Sequence, residues 1–311
     1  MTELSEPERE ELVAKLLDRE IDELLDEAAA APSWEDAWPW LAAAAMRGSD
    51  EAFDAAIERT GRAEPGDRAI GADLVGRLVQ HAPKFAEPAL RRLVEMLDAG
   101  EDDPEVLAGI LGGLSWLEDE RALEPLLRFV NHRDEAVRFG VAVGIPSALD
   151  AADPDPAGVV ALITLSTDAD SDVRDAATVG LGSKLQVDTP EVRAALGDRL
   201  SDSSFDTSCE ALVGLARRGD NRSFSILMAV LTAPTEDRLV STLQVQAAGL
   251  LGHPRLHPHL VDLRSWWDVD PDLLEWAIKR CAPRGGQQAI TGRNPAQSAA
   301  PGSAPALDRA T

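Results

Sequence analysis

The sequence contains no tyrosine, and its six Phe and seven Trp amount to 4% of 311 residues, so stacked rings cannot build its core. Two cysteines, Cys209 and Cys281, are too few for a disulfide framework. Cations are scarce as well. Thirty Lys and Arg stand against 55 Asp and Glu, giving a formal charge of −25, which repels phosphate backbones and anionic bilayers. Neither nucleic acid nor membrane is therefore an expected partner, whereas a protein with basic patches is. No apolar run approaches the eighteen residues of a membrane span, and a cytoplasmic protein is the expectation. Also missing are a Gly-x-Ser-x-Gly elbow, a Walker loop, a dinucleotide fingerprint and a His-Glu-x-x-His string, so no familiar catalytic motif is present.

What remains is 44% apolar content supplied mainly by Ala, Leu and Val. Small side chains let helices approach closely. The segment Asp168–Gly182 shows the governing pattern. Three aspartates precede Val173, as suits a helix start, and Val173, Ala177 and Leu181 then recur every fourth residue. The same i, i+4, i+8 triplet begins at Trp38, Ile70, Val106, Val137, Val173, Phe205, Leu239 and Leu273, in steps of 32, 36, 31, 36, 32, 34 and 34 residues. Its i+4 members are Ala42, Leu74, Ile110, Val141, Ala177, Cys209, Leu243 and Ala277; its i+8 members are Met46, Leu78, Leu114, Ile145, Leu181, Val213, Ala247 and Cys281. Second apolar stripes fall near 50–60, 84–98, 120–131, 155–167, 189–201, 221–232 and 256–267, with Pro88, Pro125 and Pro258 near the starts of theirs. Each unit thus reads as two helices. A pair of about 34 residues cannot enclose its own apolar surface, so neighbouring pairs must stack.

The strings DERALEPLLRFVNHRDEAVRFGVA (119–142), DSDVRDAATVGLG (170–182) and EALVGLARRGDNRS (210–223) resemble HEAT repeats, in particular the bacterial phycobilisome-lyase HEAT-like branch. That resemblance covers roughly 100–232 best, and 35–99 and 233–281 less well. It implies an all-α, right-handed α-solenoid, a HEAT-like superhelix of about eight helix pairs. Arg138 and Arg174 keep the family's arginine, while Leu107, Asp206-Thr207 and Val240 depart from it, so those units are expected to lack the charged ladder between repeats. The resemblance implies an interaction scaffold. A subunit of a bilin or tetrapyrrole lyase is the alternative, and a DNA-base glycosylase is disfavoured because the chain offers no basic groove.

Three further segments complete the domain reading. Residues 1–34 read as an acidic amphipathic capping helix over 5–30, opened by a capping box of Ser5 and Glu8. Residues 35–281 form the solenoid. Residues 282–311, rich in Pro, Gly, Ser and Ala, lack the apolar surface to offset ordering entropy and read as a disordered tail. Between Gly252 and Leu260 stand His253, His257 and His259, yet no cysteine or carboxylate lies at tight ligand spacing, and a solvated turn is favoured over a metal site. Asp168, Asp170 and Asp172 imitate the start of a calcium loop, but Val173 and Val179 occupy its glycine and glutamate places, so helix capping is the better account. Cys209 and Cys281 fall on core positions and read as inert. Trp34, Trp40, Trp266 and Trp267 lie off the core triplets near the two ends, as end covers or as anchors for a partner. The expected function is non-enzymatic: binding of another protein along the concave groove lined by the second helices, with no catalytic residue, cofactor or metal.

Overall fold

In the computed structural model, which describes residues 6–233 and 239–283, every regular element is helical. The chain divides into two compact units, residues 1–165 and 166–311. The first holds α1 (Glu6–Leu16), α2 (Ile21–Ala30), α3 (Trp34–Met46), α4 (Asp50–Arg59), α5 (Pro65–His81), α6 (Ala86–Asp98), α7 (Pro104–Ser115), α8 (Leu123–Leu127), α9 (Glu135–Ser147) and α10 (Pro156–Leu165). Here α3, α5, α7 and α9 stack successively as a layer of first helices. The second helices form another row: α4 packs on α5, α6 on α5 and α7, and α8 and α10 on α9.

The second unit repeats the plan with α11 (Ser171–Val179), α12 (Pro190–Arg199), α13 (Phe205–Arg217), α14 (Asn221–Leu231), α15 (Thr242–Leu251), α16 (His257–Leu263) and α17 (Pro271–Cys281). Its first helices α11, α13, α15 and α17 stack in order. A turn of π-helix, Gly180–Lys184, extends α11.

Local chemistry explains where the helices start. Asp103, Asp134, Asp170, Asp220 and Asp270 each cap a helix, accepting hydrogen bonds from amides of the first turn. Pro65, Pro104, Pro190 and Pro271 sit in first turns, where an amide donor is not needed. The repeat register follows for most units. The triplets from Ile70, Val106, Val137, Val173 and Leu273 are all at most 5% exposed.

Three expectations are corrected. The helix over 5–30 is two helices, broken at residues 17–20. A straight rod of that length would run about 39 Å against a neighbour, α3, of about 20 Å. The break lets both Val13 and Leu16 of α1 and Leu24 and Leu25 of α2 be buried, and α1 and α2 both pack on α3. In α3 the buried residues are Ala37, Leu41, Ala43, Ala44 and Ala45, and Ala37, Leu41 and Ala45 stand one residue away from Trp38, Ala42 and Met46; Met46 is 50% exposed. Alanines permit the close approach to α5, and the tryptophans are left at its margins. Finally, Phe205 and Leu239 are exposed, because Phe205 is the first residue of α13 and Leu239 precedes α15. Val240 is buried instead. The proposed Ser5 cap and the tail beyond Pro283 lie outside the described residues.

Candidate interaction surface

Charge is distributed unevenly between the two units. Residues 1–165 contain 36 Asp and Glu against 15 Lys and Arg, a balance of −21, while residues 166–311 contain 19 against 15, a balance of −4. Within the first unit eight of the 36 acids lie on two adjacent helices. The apolar stripe of α2 (Ile21, Leu24, Leu25, Ala28) faces inward, which leaves Asp22, Glu23, Asp26 and Glu27 outside. In α4, burial of Ala52, Phe53 and Ala56 likewise leaves Asp50, Glu51, Asp54 and Glu58 outside. The two helices pack against each other, so these eight carboxylates share one surface.

Beneath them lies Arg59, 1% exposed. Its Nη2 donates to Asp26 Oδ1 at 2.5 Å and its Nη1 to Asp67 Oδ1 at 2.6 Å, which ties α4 to α2 and α5. Removing either neighbour would leave the buried cation with a single carboxylate. Glu23 pairs with Arg19, Asp50 with Lys84 and Glu58 with Arg62. Asp22, Glu27, Glu51 and Asp54 make no ion pair among the described residues, so their field is directed at solvent.

The acidity fades along the row. Between α6 and α8 an open recess of about 330 Å³ is lined by Leu90, Val94 and Pro125 with Glu87, Arg91, Arg121 and Glu124 around them. Its charges compensate one another: Arg121 donates to Glu87 and to Asp119.

The tryptophans divide. Trp34 and Trp266 are partly exposed, at 39% and 38%. Trp40 is half-buried, with the Arg19 guanidinium 5.8 Å from its ring centre, and Arg9 stands similarly over Trp38. Trp267 is a core residue, 5% exposed, whose Nε1–H donates to the Val240 carbonyl at 2.8 Å; its reading as an outward anchor is corrected. A buried indole needs that acceptor, and only the fold supplies it.

His253 caps the turn before α16, its Nδ1 accepting from the Arg255 amide at 3.2 Å, where Asp119 and Asp220 serve the equivalent turns. Its ring lies against that of Phe224, the centres 4.2 Å apart and the planes tilted by 41°. Among the described residues no three His, Cys, Asp or Glu gather as a metal would require. Asp170 accepts from the amides of Asp172 and Val173, the capping role expected of that turn. Cys209 and Cys281 are buried, and burial pushes the Cys281 thiol up to about 12 and the Cys209 thiol upward too.

Sequence reasoning missed two polar clusters. Arg68, whose surroundings differ from those of Arg138 and Arg174, nevertheless makes the kind of link that Arg174 makes to Asp202: a double hydrogen bond to Glu101 and contacts to the carbonyls of Arg62 and Ala63. In α11, Asp175 is buried beside Thr207, whose hydroxyl only partly offsets that burial, and its Oδ1 has no hydrogen-bond partner among the described residues. Burial, aided by Asp206, Asp172 and Asp202, raises the Asp175 carboxyl to about 6, and burial raises Glu210 as well.

The stacked helix pairs define an all-α protein with the α-solenoid fold of HEAT-like repeats. Residues 159–247 match the family model of HEAT repeats. Among solved structures the chain is similar to the Escherichia coli protein YibA, with 21% identity, 90% of this chain and 98% of that chain covered and a TM-score of 0.63, a likeness of fold. Looser similarities are to an archaeal HEAT-like repeats protein from Thermococcus onnurineus NA1 (13% identity, 90% and 97% covered, TM-score 0.40) and to human deoxyhypusine hydroxylase (17%, 87% and 99%, 0.31). No curated protein matches the sequence. No helix among the described residues is long and apolar enough to cross a membrane.

Proposed function

We propose that the protein is a non-enzymatic scaffold that binds a basic protein partner on the second-helix surface of its first unit, centred on α2 and α4. The observation that carries this reading is charge: −21 of the −25 belongs to residues 1–165, α2 and α4 supply eight of that unit's 36 acids against one arginine, and Asp22, Glu27, Glu51 and Asp54 face solvent with no ion pair among the described residues. A field of one sign on a rigid helical surface accelerates encounter with an oppositely charged partner and selects against anionic ones. The apolar stripes beneath are fully used by the stack, so these side chains can serve recognition without a cost to the core. An enzymatic lyase subunit of the phycobilisome-lyase type would call for an enclosed apolar pocket with converging His, Arg or Asp; the recess at α6 and α8 is open and its charges are already paired.

The test is affinity capture from the native cell with the full chain, compared with a variant carrying Asp22→Asn, Glu27→Gln, Glu51→Gln and Asp54→Asn. These positions spare Asp26, which Arg59 needs. The expected result is a captured basic protein that is released by moderate salt and lost with the variant. Capture that is indifferent to both would refute the surface.

A further inference from the structure

Among the described residues of the second unit four large apolar side chains are exposed: Phe205 at 57%, Leu239 at 87%, Trp266 at 38% and Val269 at 68%. They are not scattered. Each stands in or beside the connection that leads from a second helix into the next first helix, at the entrances of α13, α15 and α17, which stack in that order. Two contacts fix their neighbourhood. Cys209, one turn after Phe205, has its Sγ 3.7 Å from the Oγ of Ser241, two residues after Leu239. Trp267, between Trp266 and Val269, donates to the carbonyl of Val240, next to Leu239. The four residues therefore follow one edge of this unit, one step per repeat.

Exposed carboxylates accompany them: Asp206 beside Phe205, and Asp268 and Asp272 flanking Val269. None of these three forms an ion pair among the described residues. Stacked helix axes stand about 8–10 Å apart. That step matches a helical ligand, in which residues i and i+7 lie on one side about 10.5 Å apart.

We infer that this edge docks an amphipathic helix of a partner that carries apolar residues at i, i+7 and i+14 and Lys or Arg between them. The apolar side chains of the ligand seat over Phe205, over Leu239, and over Trp266 with Val269. Its cations face Asp206, Asp268 and Asp272. An acidic helix would meet like charge at each of the three, and a helix with another apolar spacing would satisfy only one anchor at a time. This inference extends the scaffold reading above, because it supplies a second, apolar contact for a basic protein partner.

The experiment uses the full chain and two fluorescently labelled synthetic peptides of identical Leu, Lys and Ala content, one with leucines at i, i+7 and i+14 and one with them scrambled. Fluorescence anisotropy is measured at physiological ionic strength. The spaced peptide is expected to bind at least tenfold more tightly than the scrambled one. The triple variant Phe205→Ser, Leu239→Ser and Val269→Ser is expected to bring the two peptides level while its melting temperature stays unchanged. Equal binding of the peptides to the unaltered chain, or an undiminished preference in the triple variant, overturns the inference. So does a dimer in sedimentation velocity that the triple variant converts to monomer, since a second copy would then cover the edge. The four-site Asn/Gln variant of α2 and α4 separates the two readings. If it abolishes capture of the cellular partner while the triple variant leaves capture and peptide binding untouched, the first surface stands and the edge falls; the reverse pattern removes the first surface and keeps the edge.

Discussion

Gly76 of α5 and Gly113 of α7 meet backbone to backbone: a methyl group on Gly76 would fall on the carbonyl of Gly113. Along the same contact Gly109 faces the carbonyl of Ala69 and Gly113 that of Ala72. The two helices pack through their peptide planes, and small residues are what makes that possible.

Gly76→Ala is accordingly expected to destabilise the protein. Alanine is the better helix former by about 1 kcal/mol, but forcing two backbones apart in a packed layer costs about 3 kcal/mol or more, so the steric effect wins. A lowered midpoint in urea denaturation, read by circular dichroism, checks it; a raised midpoint would mean that α5 and α7 are further apart than described.

Asp175 links stability to pH. Its carboxyl titrates at about 6 in the folded chain against an ordinary value of 3.8, so the folded state holds the proton more tightly. The stabilisation is present at low pH and is lost as pH rises through 6. The groups around it, Asp172, Asp202, Asp206 and Thr207, offer it no cation of its own, and the neighbouring Glu210 is shifted in the same direction. Ionising Asp175 at neutral pH corresponds to about 3 kcal/mol. The second unit should therefore melt higher at pH 5 than at pH 7.5, and Asp175→Asn should raise the melting temperature at pH 7.5 and flatten the profile. A melting temperature that climbs with pH across this range would contradict it.

Asp202 behaves in the opposite way. Arg174 donates to both of its oxygens, at 3.0 and 2.9 Å, and holds its carboxyl down to about 2. Both side chains are largely buried, at 11% and 2% exposure. Arg174→Ala leaves that carboxylate with Arg199 and the Ser204 amide, and a loss on the order of 3 kcal/mol is expected. Arg174→Lys should restore only part of this, because an ammonium cannot span two oxygens and also the carbonyls of Asp168 and Ala169. Chemical denaturation of the three proteins gives the ranking.

Arg218 closes the turn of π-helix after α11. Its guanidinium donates to the carbonyls of Leu181, Gly182, Leu185, Val187 and Gly214. Arg218→Lys keeps the charge yet cannot reach five acceptors, so amide hydrogen exchange over 181–187 should accelerate by at least tenfold. Unchanged protection there would show that the turn holds without it.

Neither cysteine should react in the native state. The Cys281 Sγ–H donates to the Ala248 carbonyl at 3.2 Å, and its thiol is pushed up to about 12. A disulfide reagent at pH 8 is expected to titrate no thiol before unfolding and two after it.

The repeat was legible because a helix buried along one side must place an apolar residue every third or fourth position, and that requirement is local. Val106, Ile110 and Leu114 announce a buried face whatever lies beside it. The same holds for the caps: an aspartate such as Asp170 satisfies amides two and three residues on, within its own turn. Charge composition is also a property of the string alone, and it directed attention to a basic partner from the outset.

Other features depend on distance in space. Whether Trp267 faces outward or inward was decided by Val240, 27 residues earlier, whose carbonyl gives its indole an acceptor. Trp276 is accommodated because Gly249 in the preceding first helix leaves room for its ring. The acidic face of α2 and α4 arises only when two helices separated by a third are brought side by side, and Arg59 of α4 joins α2 through Asp26 and α5 through Asp67. The amino-acid order thus determined helices, period, caps and net charge, since those follow from neighbours a few bonds away. The tertiary structure alone decided which rings are covered, which carboxylates share a surface and which are driven to hold a proton, because burial and electrostatic potential are set by every group within about 10 Å, wherever it lies in the chain.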